Sequence, residues 1–175
     1  RHVNRSYARM VDMYPFTDYG TIEIRVFDTQ LSIPRRMGLA LILQALALKA
    51  KKMVYSGETI PDVGPKSLAA NRESAIAAGL WGPFKSSTAR ESEYVKIYNS
   101  QISEDGRLSK KKNRFMGDAI ASMLYMIRDE LEELNIIENP FMQALLVSVF
   151  GSEFSDARTT GSDFQLEVYA KSDNN

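Results

Sequence analysis

Gly20-Thr-Ile-Glu-Ile-Arg-Val-Phe-Asp28 is the stretch on which the fold of this chain turns. Apolar and polar residues alternate along it, the pattern of a strand with two unlike faces. Ile22, Ile24 and Val26 fall on one side, and Thr21, Glu23, Arg25 and Phe27 on the other. A weaker alternation runs from Tyr7 to Tyr14, and Pro15 and Gly20 bracket a turn between the two segments. An antiparallel pair is the simplest arrangement. Glu23 and Arg25 stand two apart, so a strand points both side chains to the same face.

Helices follow. Ser32 suits an N-cap and Pro34 a first turn, which predicts a long helix from about Pro34 to Tyr55, with Gly57 as its terminator. Its run Met37–Leu48 is too short for a membrane span, which needs about 20 apolar residues, and reads as a buried core helix. Leu68 to Leu80 predicts a second helix, ended by Trp81-Gly82-Pro83-Phe84. Thr88 and Glu91 have the spacing of a capping box. Tyr94–Tyr98 fits a short helix or a strand equally, and Asp105-Gly106 marks a turn. Met116, Ile120, Met123, Ile127, Leu131 and Leu134 recur at steps of three or four, the clearest amphipathic helix in the chain. Asn139-Pro140 opens a last helix that runs to Phe150, with Gly151 at its end. Phe164–Ala170 admits either structure, and residues 172–175 read as a frayed tail. The expected fold class is therefore α+β and helix-rich, with a small antiparallel sheet near the N-terminus followed by a helical bundle. Residues 1–30 supply strands and 31–171 are mainly helical.

Composition narrows the function. The 175 residues are 44% hydrophobic and 25% charged, ordinary for a globular domain. Lys plus Arg balances Asp plus Glu at 22 each, without the basic excess of a nucleic-acid binder. Neither nucleic acid nor membrane is an expected partner. No cysteine is present, which excludes disulfides, thiolate metal sites and a cysteine nucleophile, and fits the cytoplasm. His2 is the only histidine, so a metal would be held by carboxylates, as suits Mg²⁺ or Mn²⁺. The chain opens on Arg1 rather than Met and is read as part of a longer protein.

Glu23 and Arg25 are the leading candidates for chemistry. A carboxylate can bind a divalent cation, and an adjacent guanidinium the phosphate oxygens that the cation also touches. Phosphoryl transfer needs both kinds of neutralisation. The bland reading of the same spacing is a solvated ion pair on a strand surface. Other candidates are weaker. Arg5 and His2 lie upstream of the sheet, where substrate contacts can arise. Lys110–Lys112 reads as a solvated loop. Asp129, Glu130, Glu132 and Glu133 read as the solvated face of a helix whose other face is core. Met116, Met123 and Met126 read as core filler. Trp81 with Phe84 is expected to pack a helix end.

The core Tyr19-Gly-Thr-Ile-Glu-Ile-Arg-Val-Phe-Asp-Thr-Gln30 resembles the strand motif of the glutamate–cysteine ligase and related carboxylate–amine ligase family, a Gly-Thr-(apolar)-Glu-(apolar)-Arg-Val strand ending in Asp before a long apolar helix. Asn71-Arg72, Ala75 and Gly79-Leu80 are similar to that family's Asn-Arg…Ala…Gly-Leu helix. Asp12-Met13-Tyr14-Pro15 stands where many relatives have Asp-Ile-Arg-Pro, with Tyr14 in the arginine's place. The resemblance implies a partial glutamine synthetase-like fold, with the chain as a single domain, the C-terminal part of a larger cytoplasmic ligase. It implies an ATP- and Mg²⁺-dependent (or Mn²⁺-dependent) reaction of glutathione-biosynthesis type. A carboxylate, glutamate by expectation, becomes an acyl phosphate that an amine attacks. Glu23 would be the metal ligand and Arg25 the catalytic, phosphate-binding arginine, with Asp28, Arg5 and His2 as substrate or supporting residues. The partners implied are the N-terminal part of the same protein, ATP, amino-acid substrates and a second copy in a homo-oligomer. An alternative is a non-catalytic assembly module that reuses the fold.

Overall fold

The computed structural model describes residues 12–27, 32–58, 63–89 and 92–151. The chain divides into two units, Arg1–Leu31 and Ser32–Asn175.

In the first unit, β1 (Met13–Phe16) and β2 (Thr21–Ile24) form an antiparallel pair, joined by a 3₁₀ turn over Thr17–Tyr19. Met13 faces Ile24, Tyr14 faces Glu23, Pro15 faces Ile22 and Phe16 faces Thr21. The hairpin was expected; its first strand runs on to Phe16, so Pro15 sits inside the strand rather than in the turn, and residues 7–11 of the expected strand lie outside the described residues. The ladder explains why proline is tolerated. The Arg25 amide donates to the Asp12 carbonyl at 2.7 Å. Hydrogen-bonded and non-hydrogen-bonded pairs alternate from there, so Pro15–Ile22 is a non-hydrogen-bonded pair and the Pro15 nitrogen faces away from β2. β2 ends at Ile24, short of Val26 and Asp28; Asp28 lies outside the described residues.

In the second unit, α1 (Ile33–Ser56) begins as its caps dictate: the Ser32 hydroxyl accepts from the Arg35 amide at 3.5 Å, with Pro34 in the first turn. Gly57 ends it with φ +71°, a left-handed conformation that costs glycine nothing. Next come α2 (Pro65–Ala78), a 3₁₀ turn over Gly79–Trp81, and α3 (Glu93–Asn99), capped by the Ser92 hydroxyl. Helix is therefore the outcome for Tyr94–Tyr98. The cap is one residue beyond the Thr88/Glu91 box, and Glu91 is outside the described residues. β3 (Ser100–Ile102) and β4 (Leu108–Lys112) form a second antiparallel hairpin. It was not expected, because neither strand alternates apolar with polar. Lys110–Lys112 thus lies on a strand, still exposed, rather than in a loop.

The amphipathic segment is two helices, α4 (Met116–Met126) and α5 (Arg128–Glu133), not one. The backbone leaves helical geometry at Ile127, where ψ is 13°. Arg128 Nη1 donates to the Tyr125 carbonyl at 3.0 Å, a side-chain cap on α4. α6 (Pro140–Phe150) starts and stops as predicted, with the Asn139 side chain accepting from the Phe141 amide. The core gathers Ile42 and Ala45 from α1, Ile127, Leu131 and Ile136, and Met142 and Leu145 from α6. Met123 and Met126 pack against it, as filler should. The architecture is helix-rich α+β with small antiparallel sheets. No helix among the described residues is long and apolar enough to cross a membrane. The expected core helix α1 buries only one side: Gly38, Ile42, Ala45 and Met53 are covered, while Ile33, Met37, Val54 and Tyr55 are exposed.

Candidate functional site

The β1–β2 ladder builds the site. Tyr14 and Glu23 are directly opposite, so their side chains share a face, and Arg25, two residues on, shares it too. Arg25 Nη2 donates to Glu23 Oε2 at 2.5 Å, and the two side chains are 28% and 45% exposed. The carboxylate is therefore reachable from solvent even while paired. This hydrogen bond holds the Glu23 carboxyl below the usual carboxylate range and raises the Arg25 guanidinium above its ordinary value. The pair is intact above the normal carboxylate range and is lost as pH falls through the lowered value of Glu23. Arg25 also lies over the Tyr14 ring, Cζ 5.4 Å from the centroid. Tyr14 in turn meets Phe16 edge-on, with centroids 4.7 Å apart.

The structure thus brings Glu23 and Arg25 together as the sequence predicts, and adds Tyr14 to them. Asp28, Arg5 and His2 lie outside the described residues. Among the described residues no group of three His, Cys, Asp or Glu side chains is placed to hold a metal ion. Glu23 is one carboxylate oxygen source, and Mg²⁺ commonly takes only one or two carboxylates, filling its shell with phosphate and water oxygens.

The second motif has a structural role that spacing did not reveal. Asn71 is buried. Its side-chain oxygen accepts from the Lys85 amide at 2.6 Å, and its Nδ2 donates to the Lys85 carbonyl at 2.9 Å and the Tyr98 hydroxyl at 2.8 Å. Asn99 grips Ser87 in the same two-handed way, at 2.7 and 3.0 Å. Burial pushes the Tyr98 phenol up, opposed by the Asn71 hydrogen bond. Trp81 and Phe84 pack separately, Trp81 against Phe115 and Phe84 against Tyr98.

One acidic residue departs from expectation. Glu130 is not solvated; it is 1% exposed and ion-paired. Its Oε1 accepts from Lys52 Nζ at 3.0 Å, and Oε2 lies 3.6 Å from Lys49 Nζ. Lys52 also reaches Glu133 at 2.5 Å, and these bonds, Glu133 first, raise its pKa. The missed signal was spacing: Glu130 is three residues after Ile127 and four before Leu134, on the core side. Asp129, Glu132 and Glu133 are exposed as expected.

Comparison with known proteins finds distant similarity. The chain is 31% identical over 71 residues (41% of its length) to a protein of Gloeobacter violaceus named "Putative glutamate--cysteine ligase 2". It is 27% identical over 78 residues (45% of its length) to one of Corynebacterium efficiens named "Putative glutamate--cysteine ligase 2-1". The aligned stretches make up 19% and 21% of those proteins, so the chain spans about a fifth of the relatives it matches. No family model matches, and no solved structure matches.

Proposed function

We propose that this chain is the C-terminal portion of an ATP-dependent carboxylate–amine ligase of glutamate–cysteine ligase type. The observation that carries the reading is the Glu23–Arg25 pair on one exposed face of the hairpin. The names of the two distant relatives support the same class. Arg25 stays cationic and offers N–H donors to a transferring phosphoryl group, where a fixed charge lowers the barrier. Glu23 would hold a divalent cation, which supplies charge neutralisation at the phosphates. The rest of the metal shell, the nucleotide pocket and the substrates' other contacts belong to parts of the protein beyond the described residues. An exposed ion pair contributes little stability, so Glu23 can be drawn toward a cation at small cost.

One observation favours a second reading, a non-catalytic assembly module. Glu23 and Arg25 already satisfy each other, as a purely structural pair would.

Steady-state ligation by the full-length protein tests both. With glutamate and a panel of amines, the parent should release phosphate, and Glu23→Gln and Arg25→Ala should each lower kcat by about 10²–10³-fold while remaining folded. A parent inert with every pair, or variants at full activity, would establish the assembly reading instead.

A further inference from the structure

We propose that Tyr14 is a positioning residue that holds the guanidinium of Arg25 in place over the hairpin face; as a statement about catalysis this rests on the ligase reading above. The register sets Tyr14 opposite Glu23, which makes Tyr14 and Arg25 diagonal neighbours on one face. The distance of 5.4 Å from Cζ to the ring centroid is within cation–π range. The ring is itself fixed, because Phe16 meets it at 76° with centroids 4.7 Å apart. The Glu23 carboxylate and an aromatic face therefore both hold Arg25.

The two holds differ chemically. The ion pair engages an N–H donor, Nη2, that a phosphate oxygen would need. Contact with a ring face uses no N–H donor. If Glu23 turns to a cation, the ion pair loosens, and the ring still fixes the guanidinium. Tyr14 thus keeps a hold on Arg25 that does not depend on Glu23, which lets the two residues act on different groups. A ring-face contact does not need the hydroxyl, so phenylalanine should serve as well and an aliphatic residue should not.

Two measurements on the parent, Tyr14→Phe and Tyr14→Leu test the proposal, with circular dichroism to check folding. The first is the proton resonances of the Arg25 side chain in the 175-residue chain. The parent and Tyr14→Phe should show a ring-current shift that Tyr14→Leu lacks. The absence of that shift in the parent overturns the proposal whatever the activity. The second is ligation by the full-length protein. Tyr14→Leu should lower kcat about tenfold or more with KM for the carboxylate substrate nearly unchanged, and Tyr14→Phe should stay within about twofold of the parent. A shifted Arg25 with undiminished turnover in Tyr14→Leu refutes the positioning role and leaves the ligase reading standing. A parent inert with every substrate pair refutes the ligase reading, and the catalytic role with it, while the resonances still decide whether Tyr14 holds Arg25.

Discussion

Tyr94 and Glu58 are joined by a hydrogen bond whose consequences can be read by titration. The Tyr94 hydroxyl donates to Glu58 Oε2 at 2.8 Å, and that bond, with burial second, pushes the phenol up to about 12. The same bond, helped by the Ser56 hydroxyl, holds the Glu58 carboxyl below its usual range. The signs are opposite for the two groups. A raised phenol adds stability below its unfolded value, near 10, and loses it as pH rises toward 12. A lowered carboxyl adds stability above its unfolded value and loses it as pH falls through the folded one. The ultraviolet absorbance of phenolate should therefore include a late component from Tyr94 beside that of the raised Tyr98, and Glu58→Gln should return the Tyr94 part toward about 10. If all tyrosines titrate together in the parent, the bond is absent in solution.

Among the elements, α1 and α6 approach closely at Gly38. A Cβ on Gly38 would stand 2.7 Å from both the Leu145 Cβ and the Phe141 carbonyl oxygen. Backbone cannot retreat as a side-chain tip can, so Gly38→Ala must push the two helices apart. It should cost about 1–3 kcal/mol, seen as a lower urea midpoint. An unchanged midpoint would mean that the helices are less tightly crossed. The same scale shows what sequence could and could not disclose. α1 and α6 were legible because serine, asparagine, proline and glycine mark their ends by local chemistry. The β1–β2 hairpin was legible from alternation, although its first strand runs past Tyr14, because Pro15 falls at a non-hydrogen-bonded position rather than in the turn. β3–β4 was hidden, since Ser-Gln-Ile and Leu-Ser-Lys-Lys-Lys carry no alternation and owe their pairing to the turn and to α4 beneath. The break at Ile127 was hidden too, since the apolar spacing runs through it undisturbed.

For the molecule as a whole, the site was legible only in part. Alternation was enough to set Glu23 beside Arg25, but Tyr14 joins them through register, a property of two strands that neither one displays. Under the proposed function the activity needs a longer protein, because the one carboxylate and one arginine brought together among the described residues do not make a complete shell for ATP and two substrates. The 175-residue chain alone should thus release no phosphate from ATP above background, while retaining its helical circular dichroism. Turnover by the isolated chain would refute that division of labour.

The two asparagine grips bear on which positions in such a chain are able to drift. Asn71 touches Lys85 only through the peptide groups, while the Lys85 side chain is exposed. Position 85 can therefore accept nearly any residue that leaves its two peptide groups in place. Position 71 must supply an acceptor and a donor on one short, planar group, which asparagine does at that reach. The information that shapes the backbone at position 85 is thus written in Asn71, and a variable residue 85 beside a fixed asparagine 71 is the trace it would leave in related chains.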